Sequence, residues 1–138
     1  MRIFLDANIL FSAAKSDGAI RRLLQLLQSG GHALVADSYV VEEARRNLAR
    51  KSPGAPIAAL DTLLTVVEVT PTGTQVSEDA PSLEWLPPKD RPVLAAAAKL
   101  RCAVLITGDR THFESGYGQA FQGVTVLSPA MAASTLLE

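Results

Sequence analysis

Four acidic residues stand where a carboxylate could do chemistry: Asp6, Glu43, Asp90 and Asp109. Asp6 lies in "IFLDANIL", between two apolar runs, where a charge is costly unless it is paired or holds a cation. Asp109 closes the apolar run "AVLITGD", Asp90 precedes Pro92 in "PPKDRPVLAAAA", and Glu43 lies inside "SYVVEEARRNL". Carboxylates gathered in one pocket repel, and each raises the others' pKa unless a cation neutralises them. Hard oxygen donors select Mg2+ or Mn2+, which keep several waters and leave positions open for phosphate oxygens. Such a set contains no nucleophilic side chain. Its chemistry would be metal-assisted hydrolysis, with one ion or a pair roughly 3.5–4 Å apart.

Each acid also has a plainer reading. Asp6 could cap a helix beginning at Ala7, and Asp90 before Pro92 has the form of an N-cap. Asp109 in "TGDR" could be a turn residue, and Glu43 could face solvent. Glu42 is the rival of Glu43. At about 100° per residue, Val40, Val41, Ala44 and Leu48 form one stripe, from whose centre Glu43 lies about 115° away. Glu42 lies about 145° away, near the solvent side, where it can pair with Arg46. The remaining acids, Asp37 among them, read as surface. His32 and His112 read as structural or surface residues, and with the lone Cys102 they offer no zinc-ligand spacing.

The elements that must carry these acids alternate. "RIFLD", "HALVAD", "VVEVT", "CAVLITGD" and "GVTVLS" read as strands. "GAIRRLLQLLQSGG", "YVVEEARRNLARK" capped by Ser38, "IAALDTLLTVV", "RPVLAAAAKLR" and "PAMAASTLLE" read as helices. Residues 71–88 are the least periodic stretch and read as loop. Continuous apolar strands separated by helices predict an α/β fold, a three-layer α/β/α sandwich with a central parallel sheet. Without repeats or a composition break, residues 1–138 read as one domain. Ligands in such sheets bind beyond the carboxyl ends of the strands, the edge where Asp6 and Asp109 would emerge.

The totals exclude several function classes. With 13 Lys+Arg against 14 Asp+Glu, the chain has no overall bias towards a polyanion, so any nucleic-acid contact must come from local clusters. The single cysteine cannot form an internal disulfide, and no apolar run approaches the ~20 residues of a membrane span. An acid interrupts the first apolar run, so no signal peptide is expected and a cytoplasmic location is. No glycine-rich phosphate loop follows any strand.

In order and spacing, "FLDANIL", "SYVVEEARRNL", "KDRPVLAAA" and "LITGDRTHF" resemble the motifs of the PIN-domain nucleases, and the chain looks closest to the VapC-like toxins of toxin–antitoxin pairs. The resemblance implies a PIN-like sandwich and Mg2+- or Mn2+-dependent cleavage of RNA. It makes Asp6, Glu43, Asp90 and Asp109 the catalytic and metal-holding acids. Asn8 becomes the polar partner of the first acid, Thr107 a hydroxyl beside the pocket, and Ser12 a further polar neighbour. Relatives carry another acid two residues after the fourth, where this chain has Thr111, which bears on whether a second metal is held. A homodimer and a small antitoxin partner are also implied.

For such a nuclease, Arg45, Arg46, Lys89, Arg91 and Arg110 adjoin the acids and are the candidate RNA contacts. The main alternative keeps the fold and drops catalysis, leaving a PIN-like RNA- or protein-binding module. An aspartyl-phosphate enzyme is disfavoured, because Asn8 stands where a phosphatase of that kind would place its second acid.

Overall fold

Ile3, Phe4 and Leu5 point to alternate faces of the first strand, β1 (Arg2–Leu5), and all three are fully buried. A strand buried on both faces belongs inside a covered parallel sheet. In the computed structural model, which describes residues 1–51, 57–71 and 83–137, that is where β1 lies. The remaining strands are β2 (Ala33–Asp37), β3 (Val67–Thr70), β4 (Val104–Ile106), β5 (Ala120–Phe121) and β6 (Val124–Leu127). The sheet order is β3-β2-β1-β4-β6-β5, with every pairing parallel except β5 against β6. The expected mainly parallel sheet flanked by helices is therefore present. β5 is an addition, a two-residue antiparallel edge too short to leave a periodic signal.

Helices α1 (Ala7–Lys15) and α2 (Ala19–Ser29) link β1 to β2, and α3 (Ser38–Lys51) and α4 (Ile57–Leu64) link β2 to β3. Beyond the sequence expected to be loop come α5 (Arg91–Lys99), the short α6 (Arg110–Phe113) and α7 (Pro129–Leu136). Of that loop, residues 72–82 lie outside the described residues. Among the described residues, no helix is long and apolar enough to cross a membrane.

Chain order and sheet order part company between β1 and β4. The first three strands run outward from β1 on one side, and β4 returns to its other side. That makes a topological switch point at the carboxyl ends of β1 and β4, where a crevice opens. The register Leu5↔Ile106 sets Asp6 beside Thr107, and the Asp6 N–H donates to the Ile106 carbonyl at 3.1 Å.

Two local expectations are corrected. Asp37 is not a surface acid but is 3 % exposed at the end of β2, where its Oδ1 accepts from the Val40 N–H at 3.2 Å. It thus caps α3 in place of Ser38, which is already the first helical residue. Buried acids at strand ends look like turn residues in sequence, because the signal is the same polar interruption.

Two side chains fasten the segment before α5. The Arg91 Nε donates to the carbonyls of Leu83 at 3.1 Å and Leu86 at 3.0 Å, and the Tyr39 hydroxyl donates to the Lys89 carbonyl at 2.8 Å. Trp85 in that segment packs edge-on to Phe113 of α6, centroids 6.0 Å apart, and lies 4.7 Å from the Phe121 ring. A Cβ at Gly116 would come within 2.4 Å of the indole. Gly116→Ala is therefore expected to push the indole off Phe113 and destabilise the fold by about 1–3 kcal/mol. Urea denaturation followed by the fluorescence of the single tryptophan measures it, and an unchanged midpoint would show that the indole yields freely.

Candidate metal centre

Asp6 arrives at the crevice as the residue after β1, and the chain turns there directly into α1. Its carboxylate is 5 % exposed and fully engaged. Oδ1 accepts from the Ala7 N–H at 2.7 Å, and Oδ2 accepts from the Thr107 hydroxyl at 2.8 Å and Asn8 Nδ2 at 3.1 Å. Asn8 ties the two loops together, since its Oδ1 accepts from the Gly108 N–H at 2.7 Å. Thr107, fully buried, in turn accepts from the Asp109 N–H at 3.2 Å, and the Tyr117 hydroxyl donates to its carbonyl at 2.9 Å.

Asp6, Glu43, Asp90 and Asp109 line one pocket of about 280 Å3, together with Ala7, Asn8, Asn47, Lys51 and Lys89. The helical argument for Glu43 over Glu42 is consistent with this placement: Glu43 is half-buried on the pocket wall, and Glu42 is exposed outside it. Burial, opposed by the Thr107 and Ala7 hydrogen bonds and reinforced by the charges of Glu43 and Asp90, lifts the Asp6 pKa to about 6. Burial also raises that of Asp90, with nearby His112 pulling down and Asp109 pushing up.

The plainer readings of the acids separate on their hydrogen bonds. Asp6 does cap α1, and Asp109 Oδ1 accepts from the His112 N–H at 3.2 Å to cap α6. Asp90 occupies the N-cap position of α5 but its side chain makes no capping bond. It turns instead towards His112, whose Nδ1 lies 2.8 Å from Asp90 Oδ2 and 2.9 Å from Asp109 Oδ2. Asp90 Oδ2 and His112 Nδ1 are buried, and neither has a partner that meets hydrogen-bond geometry in full. Asp90, Asp109 and His112 form the tightest donor cluster among the described residues, their three ligand atoms within 4.8 Å of one another. Orphaned buried donors facing two carboxylates fit a divalent cation.

This cluster is not anticipated by the expectation of a structural or surface role for His112. No regular spacing marks it; only its position three residues after Asp109, one turn along, could have done so. Lys51 and Asn47 were missed as pocket residues too, although Glu43, Asn47 and Lys51 recur every four residues along one helix face.

Of the candidate RNA contacts, Lys89 lines the pocket. Arg45 pairs with Asp61 at 2.7 Å, and Arg91 is bound to backbone carbonyls. Arg46 and Arg110 are exposed, with Arg110 facing Glu114 across 3.9 Å. Ser12 is half-buried in α1, away from the pocket lining.

A sequence profile described as PIN domain matches residues 2–111. No curated protein matches the sequence. Among solved structures, the fold is similar to VapBC2 from Rickettsia felis, bound to a DNA fragment from its promoter, with a TM-score of 0.66 at 16 % identity over 93 % of this chain and 98 % of that one. It is also similar to VapC20 of Mycobacterium tuberculosis, a toxin that cleaves the sarcin–ricin loop, with a TM-score of 0.57 at 17 % identity over 86 % and 98 %. FitAcB from Neisseria gonorrhoeae gives a TM-score of 0.58 at 16 % identity over 93 % and 98 %.

A buried acid with a raised pKa favours the folded state only while it is protonated. Without metal, the ionised Asp6 costs the fold roughly 3 kcal/mol above pH 6, a penalty relieved as pH falls towards 4. With a chelator at pH 7.5, Asp6→Asn is expected to be more stable than the wild type by roughly 1–2 kcal/mol. The gain falls short of the full penalty because the new amide Nδ2 would face Asn8 Nδ2. Thermal denaturation at pH 7.5 and pH 4.5 should show the advantage vanish at the lower pH; an advantage at neither pH would mean that Asp6 carries no such penalty.

Proposed function

The chain belongs to the PIN-domain family, and from that premise we propose that it is a divalent-metal-dependent endoribonuclease, the toxin component of a bacterial toxin–antitoxin pair. The observation that carries the proposal is the convergence of Asp6, Glu43, Asp90 and Asp109, from four separate elements, on one pocket at the topological switch point.

Asp90 and Asp109 would hold a Mg2+ or Mn2+ ion, with Asp6 and Glu43 as the further acids of the pocket. A bound divalent ion supplies Lewis-acid polarisation of the scissile phosphate and acidification of the attacking water. The protein's own residues do the rest. Asn8 and Thr107 hold the Asp6 carboxylate in a single orientation through Oδ2. Lys89 and Lys51 stand on the pocket wall and would meet the phosphate backbone, supplying the positive charge that the carboxylates lack. Thr111, exposed on α6 where relatives carry a further acid, leaves the pocket with four carboxylates and favours a single tightly held ion.

The partners follow the same reading: an RNA substrate, a small antitoxin that covers the pocket, a second copy of this chain, and a cytoplasmic setting. Support comes from the likeness in fold to the VapBC2 and FitAcB assemblies and to VapC20.

Purified protein should cleave RNA with Mn2+ or Mg2+ and stop with chelator. Asp6→Asn and Asp109→Asn should each lower the rate by at least about a hundredfold. Lys51→Glu should weaken RNA binding more at low salt than at high salt, while metal binding persists. Metal-independent cleavage, or cleavage undiminished in Asp6→Asn, would overturn the proposal. RNA binding without cleavage would leave the non-catalytic binding module.

A further inference from the structure

Within that reading of a metal-holding pocket, we propose that His112 is a direct nitrogen ligand of the ion held by Asp90 and Asp109, and that it biases the site towards Mn2+ over Mg2+. The donors are already spaced as ligands. Adjacent ligand atoms of an octahedral ion with bonds of about 2.1 Å lie roughly 3 Å apart. His112 Nδ1 lies 2.8 Å and 2.9 Å from one oxygen of each acid.

The alternative role for the imidazole is that of an internal cation, donating its N–H to the carboxylates. The geometry favours the ligand role, because Nδ1 and Asp90 Oδ2 lie 2.8 Å apart and both are buried without a full hydrogen-bond partner.

The backbone that carries the ring is also anchored. The His112 N–H donates to Asp109 Oδ1 at 3.2 Å, and the next residue, Phe113, is fully buried against Trp85. The backbone that carries the imidazole is thus set by the fold rather than by an ion, which lowers the ordering cost of binding.

The preference follows from donor type. Mg2+ favours an all-oxygen shell and sheds water reluctantly, whereas imidazole suits first-row transition ions. Replacing one oxygen donor by a ring nitrogen therefore penalises Mg2+ more than Mn2+.

Pulsed electron paramagnetic resonance of Mn2+ bound to the full chain tests this, since a coordinated imidazole nitrogen modulates the Mn2+ signal. The wild type should show directly bound nitrogen. His32→Gln should retain it, leaving His112 as the one histidine that can supply it. His112→Gln, checked for folding by circular dichroism, should lose it, with Mn2+ affinity falling at least about tenfold and Mg2+ affinity changing less. Mn2+ bound to the wild type or to His32→Gln without nitrogen coupling would overturn the ligand assignment while leaving the nuclease proposal standing. Failure of the wild type to bind Mn2+ would overturn both.

Discussion

The structure depends on one awkward burial: the Asp6 carboxylate, brought to the end of a strand that is enclosed on both faces. A lone ionised acid there would be intolerable. Three donors make it tolerable: the first N–H of α1, the Thr107 hydroxyl and the Asn8 amide. Two of those sit on the loop or helix that follows Asp6, and the third ends the neighbouring strand. The same contacts that satisfy the acid therefore lock the carboxyl ends of β1 and β4 together. Because β1 and β4 flank the switch point, the lock also fixes where Asp109 emerges. Burial still lifts the Asp6 pKa, so the donors offset only part of the cost. A divalent cation bound in the pocket would offset the remainder and so couple stability to its occupancy.

The pocket divides into two electrostatic neighbourhoods. On one side Asp6 is saturated with hydrogen bonds and oriented by them. On the other, Asp90 and Asp109 face an imidazole, and two buried polar atoms lack a hydrogen-bond partner. Lys51 and Lys89 line the same pocket and bring positive charge that the overall composition does not supply. A near-neutral chain can thus hold a basic rim over an acidic floor, which net charge alone conceals.

The strands, the parallel sheet and the four converging acids were legible because each leaves a pattern that survives projection onto one dimension. β1 is an uninterrupted apolar run that ends at an acid. Glu43 is separated from Glu42 by helical angle. What escaped was set by tertiary contact. His112 joins Asp90 and Asp109 from α6, a single turn pinned through Phe113, and a one-turn helix has no period to read. Asp37 reads as a surface acid but caps a helix from inside the core. Arg45 and Arg91 look like phosphate ligands by adjacency to Glu43 and Asp90, yet each side chain leaves its neighbour to bind elsewhere. Adjacency in sequence fixes the backbone, and a long flexible side chain reaches far beyond it.

The segment that delivers Asp90 is fastened in an unusual way. The Arg91 guanidinium and the Tyr39 hydroxyl both bind main-chain carbonyls, those of Leu83, Leu86 and Lys89, rather than side chains. Every amino acid carries that carbonyl, so these clamps are indifferent to which residues occupy the clamped positions. Apart from Trp85 and the fully buried Leu83 and Leu86, whose side chains have their own packing roles, the positions of this stretch are free to diverge while the acid behind it stays in register.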